Sequence, residues 1–161
     1  MSIIRLPEPR RVGEISVEAA LQGRSSVREY RAEPLTLREV GQLLWSAQGT
    51  TRSDGKRTAP SAGATFPLET YLVAGQVSGF SPGVYHYQPG THEIAELAVG
   101  DRRAELAAIS MNQDCVRLSA ISIVLATVVA RTEAKYGANA VAYVDMEAGH
   151  AAQNVALQAV A

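Results

Sequence analysis

The chain has 161 residues, a formal net charge of −1 and a single cysteine. That length makes one domain able to bury on the order of two thirds of its unfolded surface. The balanced charge, with no basic block, excludes an electrostatic footprint for nucleic acid and a polybasic membrane patch, and Cys115 alone excludes an internal disulfide framework.

Residues 1–15 read as a polar, proline-containing N-terminal arm, and 16–161 as the folded domain. Met1 to Arg11 lacks the apolar core of a signal peptide, so the expected location is cytoplasmic. Ser16 caps a short predicted helix, Val17 to Gln22, with Gly23 as its stop. Arg24-Ser25-Ser26-Val27-Arg28 follows in extended or turn form. Two guanidiniums with two hydroxyls between them can converge on a phosphate; solvated surface arginines are the other reading.

Thr36 and Glu39 form a capping box, with Leu35 and Val40 spaced for a hydrophobic staple. Leu37, Val40, Leu44 and Ala47 then mark one apolar face of a helix ending near Gln48-Gly49, with Trp45 beside it as a core or interface residue. Ser53-Asp54-Gly55 marks a turn. Arg57 to Glu69 (Arg-Thr-Ala-Pro-Ser-Ala-Gly-Ala-Thr-Phe-Pro-Leu-Glu) reads as neither helix nor strand. Two prolines stiffen a run of small residues there, leaving backbone able to approach a flat ligand closely.

A strand is expected over Thr70 to Ala74, and a hairpin from Val84–Gln88 and Glu93–Leu97 around Pro89-Gly90. His86 and His92 have no further His, Cys or carboxylate at ligand spacing, so no metal site is expected. Asp101 caps a helix to about Ser110 with Leu106 and Ile109 inward, and Met111 to Ser119 is irregular. Ile121 to Ala130 is too short to cross a bilayer as a helix and reads as a strand covered on both faces at the centre of the sheet. From Asn139 to Ala161, Val141, Val144, Ala148, Ala151 and Val155 recur at helical spacing. That helix has no stop signal, which raises the expectation that a C-terminal portion is missing. Irregular alternation of helices and short strands indicates an α+β layer fold.

Several of these segments together resemble the nitroreductase superfamily, most closely its SagB/ThcOx-type branch of FMN-dependent dehydrogenases. The marks are Arg24 to Tyr30; Pro34-Leu35-Thr36 leading to Leu43 through Gly49; Arg57 to Pro67; Pro82 to Tyr87; Lys135-Tyr136-Gly137; and Glu147 to Asn154. The resemblance implies a nitroreductase-like fold, with a central mixed or antiparallel sheet flanked by helices. It also implies a homodimer with FMN sites built from both chains.

By the same resemblance, Arg24, Ser25, Ser26 and Arg28 hold the FMN phosphate, and Pro60, Ser61, Ala62 and Gly63 approach the flavin from the partner subunit. Gln113 is the match for a polar side chain reaching the flavin or ribityl chain. Lys135 would take a ring-carbon proton in azoline oxidation with Tyr136 assisting, which requires burial of the lysine or a neighbouring cation such as Arg131. A solvated lysine beside a packing tyrosine is the other reading. His150, Gln153 and Asn154 match the family pattern in structural roles.

The implied function is an FMN-dependent oxidoreductase acting on a small-molecule or peptide substrate, with a cyclodehydratase as partner in the azoline case. An NAD(P)H-dependent nitroreductase or quinone reductase is the alternative within the fold, and a non-catalytic dimerising or docking domain the alternative outside it. Departures from the family lie after Gly137, where Ala138-Asn139-Ala140-Val141-Ala142 replaces a basic and aromatic run.

Overall fold

The computed structural model describes residues 2–161. Five strands form one antiparallel sheet in the order β1-β4-β3-β2-β5: β1 (Ile3–Arg5), β2 (Leu68–Ala74), β3 (Gly83–Gln88), β4 (Glu93–Val99) and β5 (Ile121–Thr127). The helices are α1 (Val17–Gly23), α2 (Leu37–Gln48), α3 (Arg103–Ile109), α4 (Asp114–Arg117), α5 (Ala130–Tyr136) and α6 (Ala140–Gln158). This is the α+β architecture expected from the sequence, an antiparallel sheet flanked by helices.

Local signals translate directly into these elements. Ser16 caps α1 by accepting from the Ala19 amide, and Thr36 and Glu39 close the capping box of α2, the Glu39 carboxylate accepting from the Thr36 amide at 2.7 Å. Val40 and Leu44 of α2 pack with Leu72, Tyr85, Tyr87 and Ile94 into the main core beneath the sheet. Alternation along β3, with Gly83, Tyr85 and Tyr87 buried, aims one face at that core. No helix of the described residues is long and apolar enough to cross a membrane.

Several expectations are corrected. Ile121–Thr127 pairs only with β2 and is an edge strand, half-buried over Ile121–Leu125, and Ala130 begins α5. Its composition is that of a doubly covered strand, but order across a sheet is set by non-local pairing. Ile3–Arg5 of the N-terminal arm pairs with β4 as the opposite edge. Gly23 is the last residue of α1 and lacks a positive φ; a Cβ there would meet the Val160 side chain at 3.1 Å, so close packing explains it.

Ile109 is 83% exposed and Val141 56% exposed, while Ala107 and Glu147 take the buried positions of their helices. Asp101 lies one residue before the cap position and accepts from the Arg103 amide at 3.0 Å. The Met111 to Ser119 stretch includes α4, and the Pro-Ser-Ala-Gly loop includes a short 3₁₀ turn, Ala62–Ala64.

Candidate active site

The loop from Arg57 to Pro67 carries three residues in left-handed backbone conformation: Gly63 (φ 57°), Ala64 (φ 56°) and Phe66 (φ 46°). For a side-chain-bearing residue such a conformation costs about 1–3 kcal/mol and persists only where neighbours over-determine it. Here they do. The Arg57 guanidinium donates to Gln48 Oε1 at 2.9 Å and covers the Phe66 ring at 4.4 Å. The Phe66 amide donates to Ser61 Oγ at 2.9 Å, its carbonyl accepts from Arg131 at 3.0 Å, and Thr65 and Thr132 share a hydroxyl contact of 2.9 Å.

Lys135 and Tyr136, at the end of α5, stand against this loop within the same chain. Lys135 Nζ lies 3.5 Å from the Gly63 carbonyl oxygen, and a Cβ on Gly63 would fall 2.6 Å from both Lys135 Nζ and the Tyr136 hydroxyl. Gly63 is therefore needed twice, for its left-handed backbone and for the space it leaves. The Tyr136 ring meets Tyr143 edge-on, with centroids 5.0 Å apart. Lys135 is exposed in the single chain, and Arg131 is turned instead to Glu69 and the Phe66 carbonyl.

Cavities flank both sides of the loop. One of about 440 Å³ is lined by Lys56, Arg57, Pro60, Ser61, Gly63 and Phe66. The other, about 240 Å³, lies between Pro60-Ser61-Ala62 and the side chains of Tyr143, Met146, Glu147 and His150 on α6. Glu147 is 2% exposed and its Oε1 has no hydrogen-bond partner. Burial pushes its carboxyl above the ordinary value, against the opposing pull of the Ser61 hydroxyl, Arg57 and His150. The sequence reading missed this residue, and only its position among matching family marks could have drawn attention to it.

The remaining candidates gather elsewhere. Arg24 to Arg28 are exposed and outside any helix or strand, and among the described residues Arg24 and Arg28 make no ion pair. Burial, then the neighbouring Cys115, pushes the Tyr30 hydroxyl up. Cys115 Sγ lies 3.7 Å from Gln113 Oε1. Gln113 itself is exposed at the start of α4.

Gly23 abuts Val160, whereas the loop faces Glu147, 13 residues earlier on α6 and its C-terminal turn; that separation is roughly 20 Å along a helix. Among the described residues no three His, Cys, Asp or Glu gather around a common point.

An antiparallel α+β sheet with a small-residue loop braced beside a Lys-Tyr pair defines a scaffold suited to a flat ligand. The family follows from comparison: the nitroreductase family model matches residues 21–161, and the chain belongs to that family. A protein of Methanocaldococcus jannaschii named as a candidate nitroreductase is 42% identical over 97% of this chain and 77% of its own length. The crystal structure of a candidate nitroreductase from Ralstonia eutropha JMP134 superposes with a TM-score of 0.82 at 29% identity, covering 98% of this chain and 71% of that one. The Escherichia coli microcin synthetase McbBCD complex, solved with truncated pro-MccB17 bound, gives a TM-score of 0.68 at 24% identity over 95% of this chain and 61% of that one, a likeness of fold.

Members of the nitroreductase family generally use flavin cofactors. The residues here fit such a group: Ala62, Gly63 and Ala64 present a wall without bulky side chains, and Lys135 and Tyr136 bring a cation and a hydroxyl to its edge.

Proposed function

We propose that this protein is an FMN-dependent oxidoreductase working as a homodimer, and that it oxidises azoline rings in a peptide substrate to azoles. The observation that carries this reading is the placement of Lys135 and Tyr136 against Gly63, at the wall proposed to face the flavin. Pro60, Ala62 and Gly63 contribute backbone and small side chains to that wall, and Ser61 contributes through the loop's shape. Arg24, Arg28, Ser25 and Ser26 supply cationic and hydroxyl donors to the cofactor phosphate, which exposed, unpaired guanidiniums suit. Gln113 is the polar side chain that reaches the cofactor in this reading.

FMN supplies two-electron acceptance when bound. Lys135 Nζ removes the ring-carbon proton, and the Tyr136 hydroxyl orients the ring by hydrogen bonding. Exposed in the single chain, Lys135 gains the desolvation a base requires only when a second copy covers it. A cyclodehydratase partner belongs to this reading, because it would generate the azoline.

A second substrate class is favoured by the relatives, which carry nitroreductase names: nitroaromatics or quinones reduced at the expense of NADH or NADPH. One experiment separates the two. The protein is purified with FMN present and offered an azoline-containing peptide with dioxygen, or a nitroaromatic with NADH. Azole formation that falls about a hundredfold or more in Lys135→Ala, with FMN still bound, is the expected result. Steady nitroaromatic turnover with no azole would favour the second class, and a folded protein that retains no flavin would overturn both.

A further inference from the structure

The N-terminal arm is fastened to the domain at one residue. Ile3–Arg5 pairs with β4 as the sheet's edge, Leu6 is 2% exposed in the main core, and the Leu6 amide donates to the His92 carbonyl at 3.1 Å. His92 stands between β3 and β4 with a left-handed backbone (φ 54°), a conformation that histidine tolerates better than most residues but that still needs outside support. Its ring makes contacts from both nitrogens: Nε2 lies 3.0 Å from the Pro7 carbonyl oxygen and Nδ1 2.9 Å from the Tyr87 hydroxyl.

These partners fix the protonation state. A carbonyl can only accept, so Nε2 carries the proton, and Nδ1 keeps a lone pair that accepts the Tyr87 O–H. Tyr87 is 1% exposed, and burial pushes its hydroxyl up, so it stays a phenol. Among the described residues that hydroxyl has no other hydrogen-bond partner. A second proton on the ring would set two donors against each other, or turn the phenol proton toward a buried place with no acceptor.

We propose that His92 is a clasp for the N-terminal arm that closes only with a neutral ring, so that acid opens the arm while the rest of the domain stays folded. An edge strand of three residues is paired on one side and can open locally at small cost. Gln42 of α2 sets the far limit of the opening, because its side chain holds both the amide and the carbonyl of Arg10. The moving part is thus residues 2–9.

Facing the ring are Tyr87 of β3, Gly41 of α2, where a Cβ would stand 3.6 Å from Nε2, and, around the polar cavity that His92 helps to line, Arg5, Glu8, Arg11 and Arg52. Glu8 is paired with Arg5 at 3.3 Å. Burial holds the imidazole below its ordinary value, against the opposite pull of the Pro7 carbonyl and Glu8. A base lowered on closing binds fewer protons closed than open, so closure is full above 6.5 and weakens as pH falls from there toward the clasped value.

The clasp is independent of the flavin reading and is tested on the whole protein without cofactor. Proton–nitrogen correlation spectra at about pH 7.5 should show His92 as the Nε2–H tautomer; an Nδ1–H tautomer or a charged ring would overturn the proposal. Amide exchange, expressed as protection over the intrinsic rate at each pH, reads the arm through the Leu6 amide and the Glu96 amide, which donates to the Ser2 carbonyl at 2.9 Å. Protection at both should fall by about fivefold or more between about pH 7.5 and 5.5, while amides inside α2 hold theirs. His92→Asn keeps a residue type at home in left-handed backbone but ends where Nδ1 stands, short of Pro7. In that variant the arm should be weakly protected to the same degree at both pH values. Arm protection in the parent that ignores pH, or a parental pH dependence that survives in His92→Asn, would overturn the clasp; the parent's own tautomer and titration decide the matter if the variant fails to fold.

Discussion

Glu69 of β2 lies between the Arg131 guanidinium of α5 and the His86 imidazole of β3, with the imidazole 2.7 Å from its carboxylate. Burial pulls its carboxyl upward, but the hydrogen bonds from Arg131 and then His86 outweigh that and hold it below the ordinary 4.5. A carboxyl lowered on folding contributes stability that is complete above 4.5 and is lost as pH falls through the folded value. Glu69→Gln should therefore be less stable than the parent at neutral pH and equal to it well below 4.5. Urea unfolding followed across that range measures the converging difference. A gap that stays constant with pH would mean the carboxylate's charge is not its origin. Because Arg131 also holds the Phe66 carbonyl, the variant should in addition loosen the end of the candidate loop.

Helix starts show how far local chemistry reaches. The Thr36–Glu39 capping box was legible because donor and acceptor are three residues apart, and the structure forms both halves of it. Thr36→Ala removes the side-chain acceptor of the Glu39 amide and should cost about 1 kcal/mol, seen as a lower urea midpoint at unchanged slope. The hairpin of β3 and β4 was legible for the same reason, since strand alternation and a Pro-Gly turn are short-range signals.

What failed to show in the sequence depends on distant partners. Nothing within Ile121–Thr127 tells that β2 pairs on one side and no strand on the other. Glu147 falls at a helical position that a glutamate ordinarily keeps in water, and its burial follows from the approach of a loop more than eighty residues earlier in the chain. Of the candidate site, the Arg57–Pro67 loop and the Lys135–Tyr136 pair were legible as residue types in a family pattern. Their meeting at Gly63 required the fold.

At the scale of the molecule, the proposed phosphate donors follow Gly23, which abuts Val160 just past the end of α6, while the loop faces the Tyr143–His150 stretch of that helix. Several apolar side chains on these elements are exposed in an isolated chain. Val17 and Leu21 on α1, Val27 and Tyr30 after it, and Val141 and Met146 on α6 are each roughly half exposed or more, the pattern of surface that another chain covers. We infer that a second copy covers it and, by two-fold symmetry, brings the arginines of one protomer to the loop of the other.

Subunit mixing tests this arrangement without a structure of the dimer. Arg24→Ala/Arg28→Ala removes the phosphate donors, and Gly63→Val forces a β-branched side chain into the space held by Lys135 Nζ and the Tyr136 hydroxyl. Each variant alone should bind no flavin. If sites are shared, a heterodimer carries both defects in one site and neither in the other, so unfolding and refolding an equal mixture should restore about a quarter of the parental flavin binding. Sites confined to single chains would give no recovery at all, because every site would keep its own defect. Recovery that disappears when Met146→Glu is added to both variants would further place α6 at the seam, since a buried like-charge pair across a two-fold axis opposes association.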